Sequence, residues 1–176
     1  PRVSLSILNS VFNDITMDTL DGDTHLVSGQ TVYIENCIVS NIIVYNPDNS
    51  DDILDQTASI QYLFGDEFYE FDQYLAQFVL GWTFINCEFD NITANNRYID
   101  SSIALSIIAA ASSSFSRNVE YYIEDCVFIN ISDIDILRSD PGPIMSIPWD
   151  IVDTSFIDIG DNSMIFDGVS RTHLVM

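Results

Sequence analysis

The sequence predicts an all-β solenoid, in which one chain coils repeatedly and each turn lies on the one before. An eleven-residue pattern recurs five times, its apolar positions alternate at period two, and the alternation slips phase at an Asn or Asp. The copies run from Leu5 to Ile15, Val32 to Ile42, Trp82 to Ile92, Tyr121 to Ile131 and Trp149 to Ile159. Their starts are 27, 50, 39 and 28 residues apart, as expected of coils that carry insertions of different size.

Positions 1 (Leu5, Val32, Trp82, Tyr121, Trp149) and 3 (Ile7, Ile34, Phe84, Ile123, Ile151) are apolar and alternate as a strand does. Positions 6 (Ser10, Cys37, Cys87, Cys126, Thr154) and 8 (Phe12, Val39, Phe89, Phe128, Phe156) do the same, one residue out of phase. A straight strand cannot hold both pairs on one side, so the chain must bend between them. Position 5 is Asn9, Asn36, Asn86, Asp125 and Asp153, the non-glycine types that best tolerate the left-handed backbone of a tight bend. Each copy therefore reads as strand, Asx bend, strand, with the Asx residues laddered along one corner. Position 11, Ile in every copy, is expected to begin a third wall after a second bend near positions 9 and 10.

As a consensus the pattern is I-x-N-C-x-F-x-N-I. It resembles the rungs of right-handed parallel β-helix proteins of the pectin-lyase-like fold, which also carry inward Asn, Cys and Phe ladders. It is similar as well to repeats of polymorphic outer-membrane proteins, departing from them in its F-x-[ND]-I and in lacking G-G-A. The resemblance implies one domain over residues 1–176, of about five right-handed coils, with a larger insertion near residues 65–81. It leaves activity open, because this fold hosts lyases, hydrolases, adhesins and inert spacers alike.

Charge narrows the partners. Five basic residues, all arginine, stand against 27 acidic ones, for a net charge of −22. Nucleic acid and anionic membrane surfaces would be repelled. The longest apolar stretch, Ile103 to Ala111, is interrupted by Ser106 and too short to span a bilayer. The absence of a leader and of polar end caps suggests a processed chain, or a segment of a longer solenoid that stacks on further coils or on copies of itself.

Between the copies the pattern loosens. Met17 to Thr24 is an acidic turn, in which Asp18, Asp21 and Asp23 around Gly22 either are simply solvated or chelate Ca2+. Residues 46–52 are a polar loop, Ala58 to Phe64 alternates as a wall strand, and Phe68, Phe71, Leu75 and Phe78 fall at the spacing of a short amphipathic helix. Asp100 to Ile108 reads as another wall strand and Ala109 to Asn118 as a small-residue turn. Ile144 to Ile147 follows a Pro-Gly-Pro turn, and Ser163 to Phe166 is a last wall strand.

No residue set makes a strong catalytic pattern. The three cysteines, Cys37, Cys87 and Cys126, share position 6 without C-x-x-C or metal-like spacing to His, so they read as buried small side chains. Glu88 and Asp90 form the one tight outward carboxylate pair inside a copy, and His25 and His173 lie outside the copies. The sequons Asn91-Ile92-Thr93 and Asn130-Ile131-Ser132 both fall at position 10. If that position faces out, stacked glycans follow; if it faces in, the amides form a hydrogen-bonded ladder. The outward positions 4, 7 and 9 are apolar enough to expect a cover. Asp125 beside Asp153 places two charges about 5 Å apart, so acid or Ca2+ is expected to stabilise the last coils. The expected role is an extracellular structural, adhesive or filament-forming module, against the alternative of a carbohydrate-active one that binds or cleaves glycans.

Overall fold

The computed structural model describes residues 4–18, 25–29, 31–45, 62–65, 80–94, 106–111, 119–140, 148–167 and 171–175. Among them the chain forms strands and no helix. The strands are β1 (Leu5–Leu8), β2 (Val11–Asp18), β3 (Val27–Ser28), β4 (Thr31–Glu35), β5 (Ile38–Tyr45), β6 (Tyr62–Gly65), β7 (Leu80–Ile85) and β8 (Glu88–Ala94). They continue as β9 (Ser106–Ala111), β10 (Val119–Glu124), β11 (Val127–Ser132), β12 (Asp135–Asp140), β13 (Pro148–Val152), β14 (Ser155–Ile159), β15 (Phe166–Asp167) and β16 (Arg171–Val175).

Every third strand pairs, in parallel, with the strand one coil away. The first wall orders as β1-β4-β7-β10-β13-β16, the second as β2-β5-β8-β11-β14, and the third as β3-β6-β9-β12-β15. This is a parallel β-solenoid of three walls. Parallel pairing needs a long crossover, and here each crossover is the rest of one coil. Register follows the repeat: Leu5 aligns with Val32, Val32 with Trp82, Trp82 with Tyr121 and Tyr121 with Trp149.

Positions 1, 3, 6, 8 and 11 point into a common interior. Val32, Ile34, Cys37, Val39 and Ile42 are all buried, and so are their counterparts Trp82, Phe84, Cys87, Phe89 and Ile92 in the next coil. Flat rings stack along position 8, with Phe89 and Phe128 4.5 Å apart at 4° and Phe128 and Phe156 5.3 Å apart at 11°. Phe64, from the third wall, meets Phe12, Trp82, Phe84 and Phe89 edge-on at 5.9–6.4 Å. The one polar atom of Trp82 is satisfied, its indole N–H donating to the Gly29 carbonyl at 3.0 Å.

Several expectations need correction. Position 11 does not open the third wall. A bend does fall at position 10, but the chain beyond it keeps pairing with the same neighbour, so Ile42 and Ile92 still belong to the second wall. The third wall comes later, and β9 extends through Ala109–Ala111, which composition suggests is turn. β12 (Asp135–Asp140) carries the wall in a stretch with no repeat signal. The strand after Ser163 is confined to Phe166–Asp167, and a sixth first-wall strand, β16, follows it. The amphipathic helix, most of the larger insertion, residues 58–61 and the Ile144 to Ile147 strand lie outside the described residues.

Candidate functional site

The corners are where this chain departs from plain sheet, and their chemistry repeats rung by rung. Asn9, Asn36, Asn86, Asp125 and Asp153 all have φ between 47° and 54°. A second set at position 10, Asp14, Asn41, Asn91, Asn130 and Asp158, has φ between 51° and 56°. A single left-handed residue turns the chain without breaking the stack. The Asn36 and Asn86 backbone N–H groups still donate to the Ile85 and Glu124 carbonyls of the next coil, at 3.0 and 2.9 Å.

Position 6 completes this corner. Ser10 Oγ donates to the Leu8 carbonyl at 3.0 Å and Thr154 Oγ1 to the Val152 carbonyl at 3.0 Å. The thiols of Cys37, Cys87 and Cys126 donate at 3.3 Å to the equivalent carbonyls of Glu35, Ile85 and Glu124. Position 6 therefore takes a small side chain that also carries a donor, which is why Ser, Cys and Thr share it. The cysteines are more than small apolar fillers.

All three cysteines are buried as free thiols. Burial pushes the Cys37 thiol up. The Cys126 thiol is raised by its hydrogen bond to Cys87, and burial adds to this. Cys87, between Cys126 and Cys37, is lowered to about 7, chiefly by its contact with Cys126.

Outside, the amides of both corners link coil to coil. Asn86 Nδ2 donates to Asn36 Oδ1 at 2.7 Å and Asn36 Nδ2 to Asn9 Oδ1 at 3.3 Å. At the second corner Asn91 Nδ2 donates to Asn41 Oδ1 at 2.7 Å, and Asn41 Nδ2 to Asn13 Oδ1 at 2.9 Å. Asn130 Nδ2 crosses to Asp90 Oδ1 at 2.8 Å. The two sequon asparagines, Asn91 and Asn130, are thus exposed and hydrogen-bonded at once, so the expected choice between outward glycans and an inward ladder does not arise. Their hydroxyl partners also meet, Ser132 Oγ donating to Thr93 Oγ1 at 2.9 Å. The first ladder stops at Asp125 and Asp153, which are exposed and carry no amide donor.

Other candidates are not drawn together. Glu88 is exposed between Ile38 and Val127, while Asp90 lies between Ser40 and Ile129 and already accepts from Asn130. No second carboxylate column faces this pair among the described residues of the second wall. Asp21 and Asp23 lie outside the described residues, and Asp18 is described only as the end of β2. Among the described residues no group of three or more His, Cys, Asp or Glu is placed to hold a metal ion. His25 is half-buried just ahead of β3, and His173 lies in β16 in register with Asp150.

One outward feature escaped the sequence reading. Tyr33, Thr83 and Tyr122 form a column on the outer face of the first wall, in register with one another. The Tyr33 hydroxyl donates to Glu35 Oε2 at 3.1 Å, and Tyr122 bonds Glu124 in the same manner. Both phenols are raised, first by desolvation and then by that carboxylate. The signal was present at position 2, two residues before each glutamate.

Fold and corner geometry define a class: a three-walled parallel β-solenoid knit by Asx ladders at two corners. No family model matches the chain, and neither a curated protein nor a solved structure does. No helix among the described residues is long and apolar enough to cross a membrane.

Proposed function

We propose that this chain is a structural and adhesive module of the right-handed pectin-lyase-like kind, working by end-to-end stacking of its coils. One observation carries the reading. In the first described coil Ile7, Phe12 and Ile15 are only half-buried, while their equivalents Ile34, Val39 and Ile42 are 0–1% exposed. Leu5, Leu8 and Val11 of the same coil are exposed at 42–65%. Among the described residues β1 and β2 pair on one side only, and such a parallel edge above an apolar rung receives another β rung, from a further coil or from a second copy. The occupant proposed is a second copy of this chain. An extracellular or cell-surface setting fits the two exposed sequons and the acidic surface.

Sedimentation velocity over a concentration series tests this, with electron microscopy of the same samples. Concentration-dependent assembly into rods, abolished by Leu5→Lys with Leu8→Lys, is the expected result. A monomer at every concentration overturns it.

A second reading rests on Tyr33 and Tyr122 with Glu35 and Glu124, an aromatic and carboxylate face of the type that binds glycans along a wall. Retention on a glycan array, lost in Tyr33→Ala with Tyr122→Ala, would favour that reading.

A further inference from the structure

The thiols of Cys37, Cys87 and Cys126 occupy one column in three consecutive coils. The register is tight there: the Glu88 N–H donates to the Cys37 carbonyl at 3.0 Å and the Val127 N–H to the Cys87 carbonyl at 2.9 Å. Neighbouring side chains in such a column are one strand spacing apart, about 4.8 Å. Cys87 lies between the other two, with one thiol of the column on either side of it.

That spacing matches a particular coordination chemistry. Two metal–thiolate bonds of about 2.3 Å placed end to end span about 4.6 Å. A tetrahedral ion needs four ligands, and no group of three or more ligands is available among the described residues. A linear ion needs two. Soft sulfur ligands select Cu(I) and its heavier congener Ag(I) over harder ions. In-register strands put the sulfurs at the right distance for that bridge but do not favour the roughly perpendicular dihedral of a disulfide.

We propose that Cys87 and one neighbouring thiol bind a soft, two-coordinate monovalent d10 cation inside the solenoid. On binding, the Cys87 S–H bond breaks, its proton leaves to solvent, and a sulfur–metal bond forms. The neighbouring thiol, Cys37 or Cys126, donates a sulfur lone pair from the opposite side. The ion's single positive charge is balanced by the one thiolate, so the apolar interior takes up no net charge. The Ser10 and Thr154 hydroxyls bound the column and are hard donors, which limits the site to these three sulfurs. The site is independent of end-to-end stacking.

The arrangement makes an unequal prediction for three cysteines of equal burial. Cys37 and Cys126 are two rungs apart, about 9.6 Å, too far for one ion to bridge. Cys87 is therefore indispensable and each of the others is replaceable. The test equilibrates the folded chain with Ag(I) in excess free methionine, which masks thioether sites, and counts bound ions by native mass spectrometry. One ion per chain is expected, retained in Cys37→Ala and in Cys126→Ala and lost in Cys87→Ala. Cys87→Ser, which keeps the size and the donor of position 6, is expected to lose the ion too while its circular dichroism stays that of the parent. No uptake, uptake indifferent to Cys87, loss in all three single variants, or uptake that abolishes the β signal would each overturn the proposal.

Discussion

Asn86 donates its side-chain amide to Asn36 at 2.7 Å, across 50 residues of sequence and a single rung of the solenoid. Both residues are in the left-handed region, with φ of 50° and 54°. One asparagine therefore does two things: it makes the bend, and it ties the bend to the one beside it. The interior behind it is apolar, so the corners and the stacked rings act together to set the register of the coils.

The bend and the tie separate on substitution. Alanine at position 86 must adopt the left-handed backbone without a local hydrogen bond, whereas glycine adopts it freely. Asn86→Ala is expected to lose about 1–2 kcal/mol and Asn86→Gly markedly less. Urea unfolding of the two variants checks this, and equal losses would mean that the backbone conformation is not what the position demands.

The first ladder ends because the side chains of Asp125 and Asp153 have no N–H to give. The double change Asp125→Asn with Asp153→Asn extends it by two bonds and removes a like-charge pair about 5 Å apart, worth roughly 0.8 kcal/mol in water. A gain of about 1 kcal/mol is expected, with part of it fading in high salt. A thermal midpoint unmoved at low salt would show that these exposed contacts carry no energy.

Position 6 tests the paired need for small size and a donor. Cys87→Ser keeps the bond to the Ile85 carbonyl, as Ser10 does to Leu8, and is expected to cost less than about 1 kcal/mol. Cys87→Val adds a methyl group in a packed column and removes the donor, for an expected loss of about 1–3 kcal/mol. Reversal of that order in urea titrations would return the cysteines to the status of simple apolar filler.

Gly81 allows a close approach between two coils. Its φ is 146°, and a Cβ there would stand 1.7 Å from the Glu120 carbonyl oxygen. The obstacle is backbone, which cannot rotate away. Gly81→Ala is expected to destabilise by more than about 2 kcal/mol, and a melting temperature near the parent's would contradict the packing of β7 against β10.

Alkaline pH is expected to loosen the fold. Cys37 and Cys126 have raised thiol values when folded, so they hold protons that the unfolded chain gives up. Their stabilisation is complete below the ordinary thiol value of about 8.5 and is lost as the pH rises beyond it. Cys87, lowered to about 7, works oppositely: its share is present above about 8.5 and is lost as the pH falls toward 7. The melting temperature is expected to drop above pH 9 and to drop less steeply in Cys126→Ala; equal slopes would remove the thiol column as the cause.

The five copies, their phase slip and the Asx residues at position 5 were legible in the sequence because each is local. Period-two burial and a left-handed bend need only the residues within one coil, and the structure places all five bends where the repeat puts them. The sequons and the cysteines were legible as positions but not as environments. That Asn130 reaches Asp90 rather than Asn91, or that a thiol satisfies the carbonyl two residues back, depends on how one coil sits over the next.

The third wall was legible only in part: the wall strands read at Ala58–Phe64, Asp100–Ile108 and Ser163–Phe166 overlap β6, β9 and β15, whereas β3 and β12 carried no signal. In β6, β9 and β12 both faces are buried: Leu63 with Phe64, Ile107 with Ile108, and Ile136 with Leu137 are all at 0% exposure. Burial on both faces removes the need for alternation, so β12 carries no repeat signal and Ala109–Ala111 of β9 reads as turn. Asp135, buried on the same wall, even argues against a strand when read locally. What sequence by itself determined is where the chain must turn, since a left-handed residue imposes its geometry on its immediate neighbours. What the tertiary structure decided is which segments close each coil, since burial on two faces is conferred by other parts of the chain.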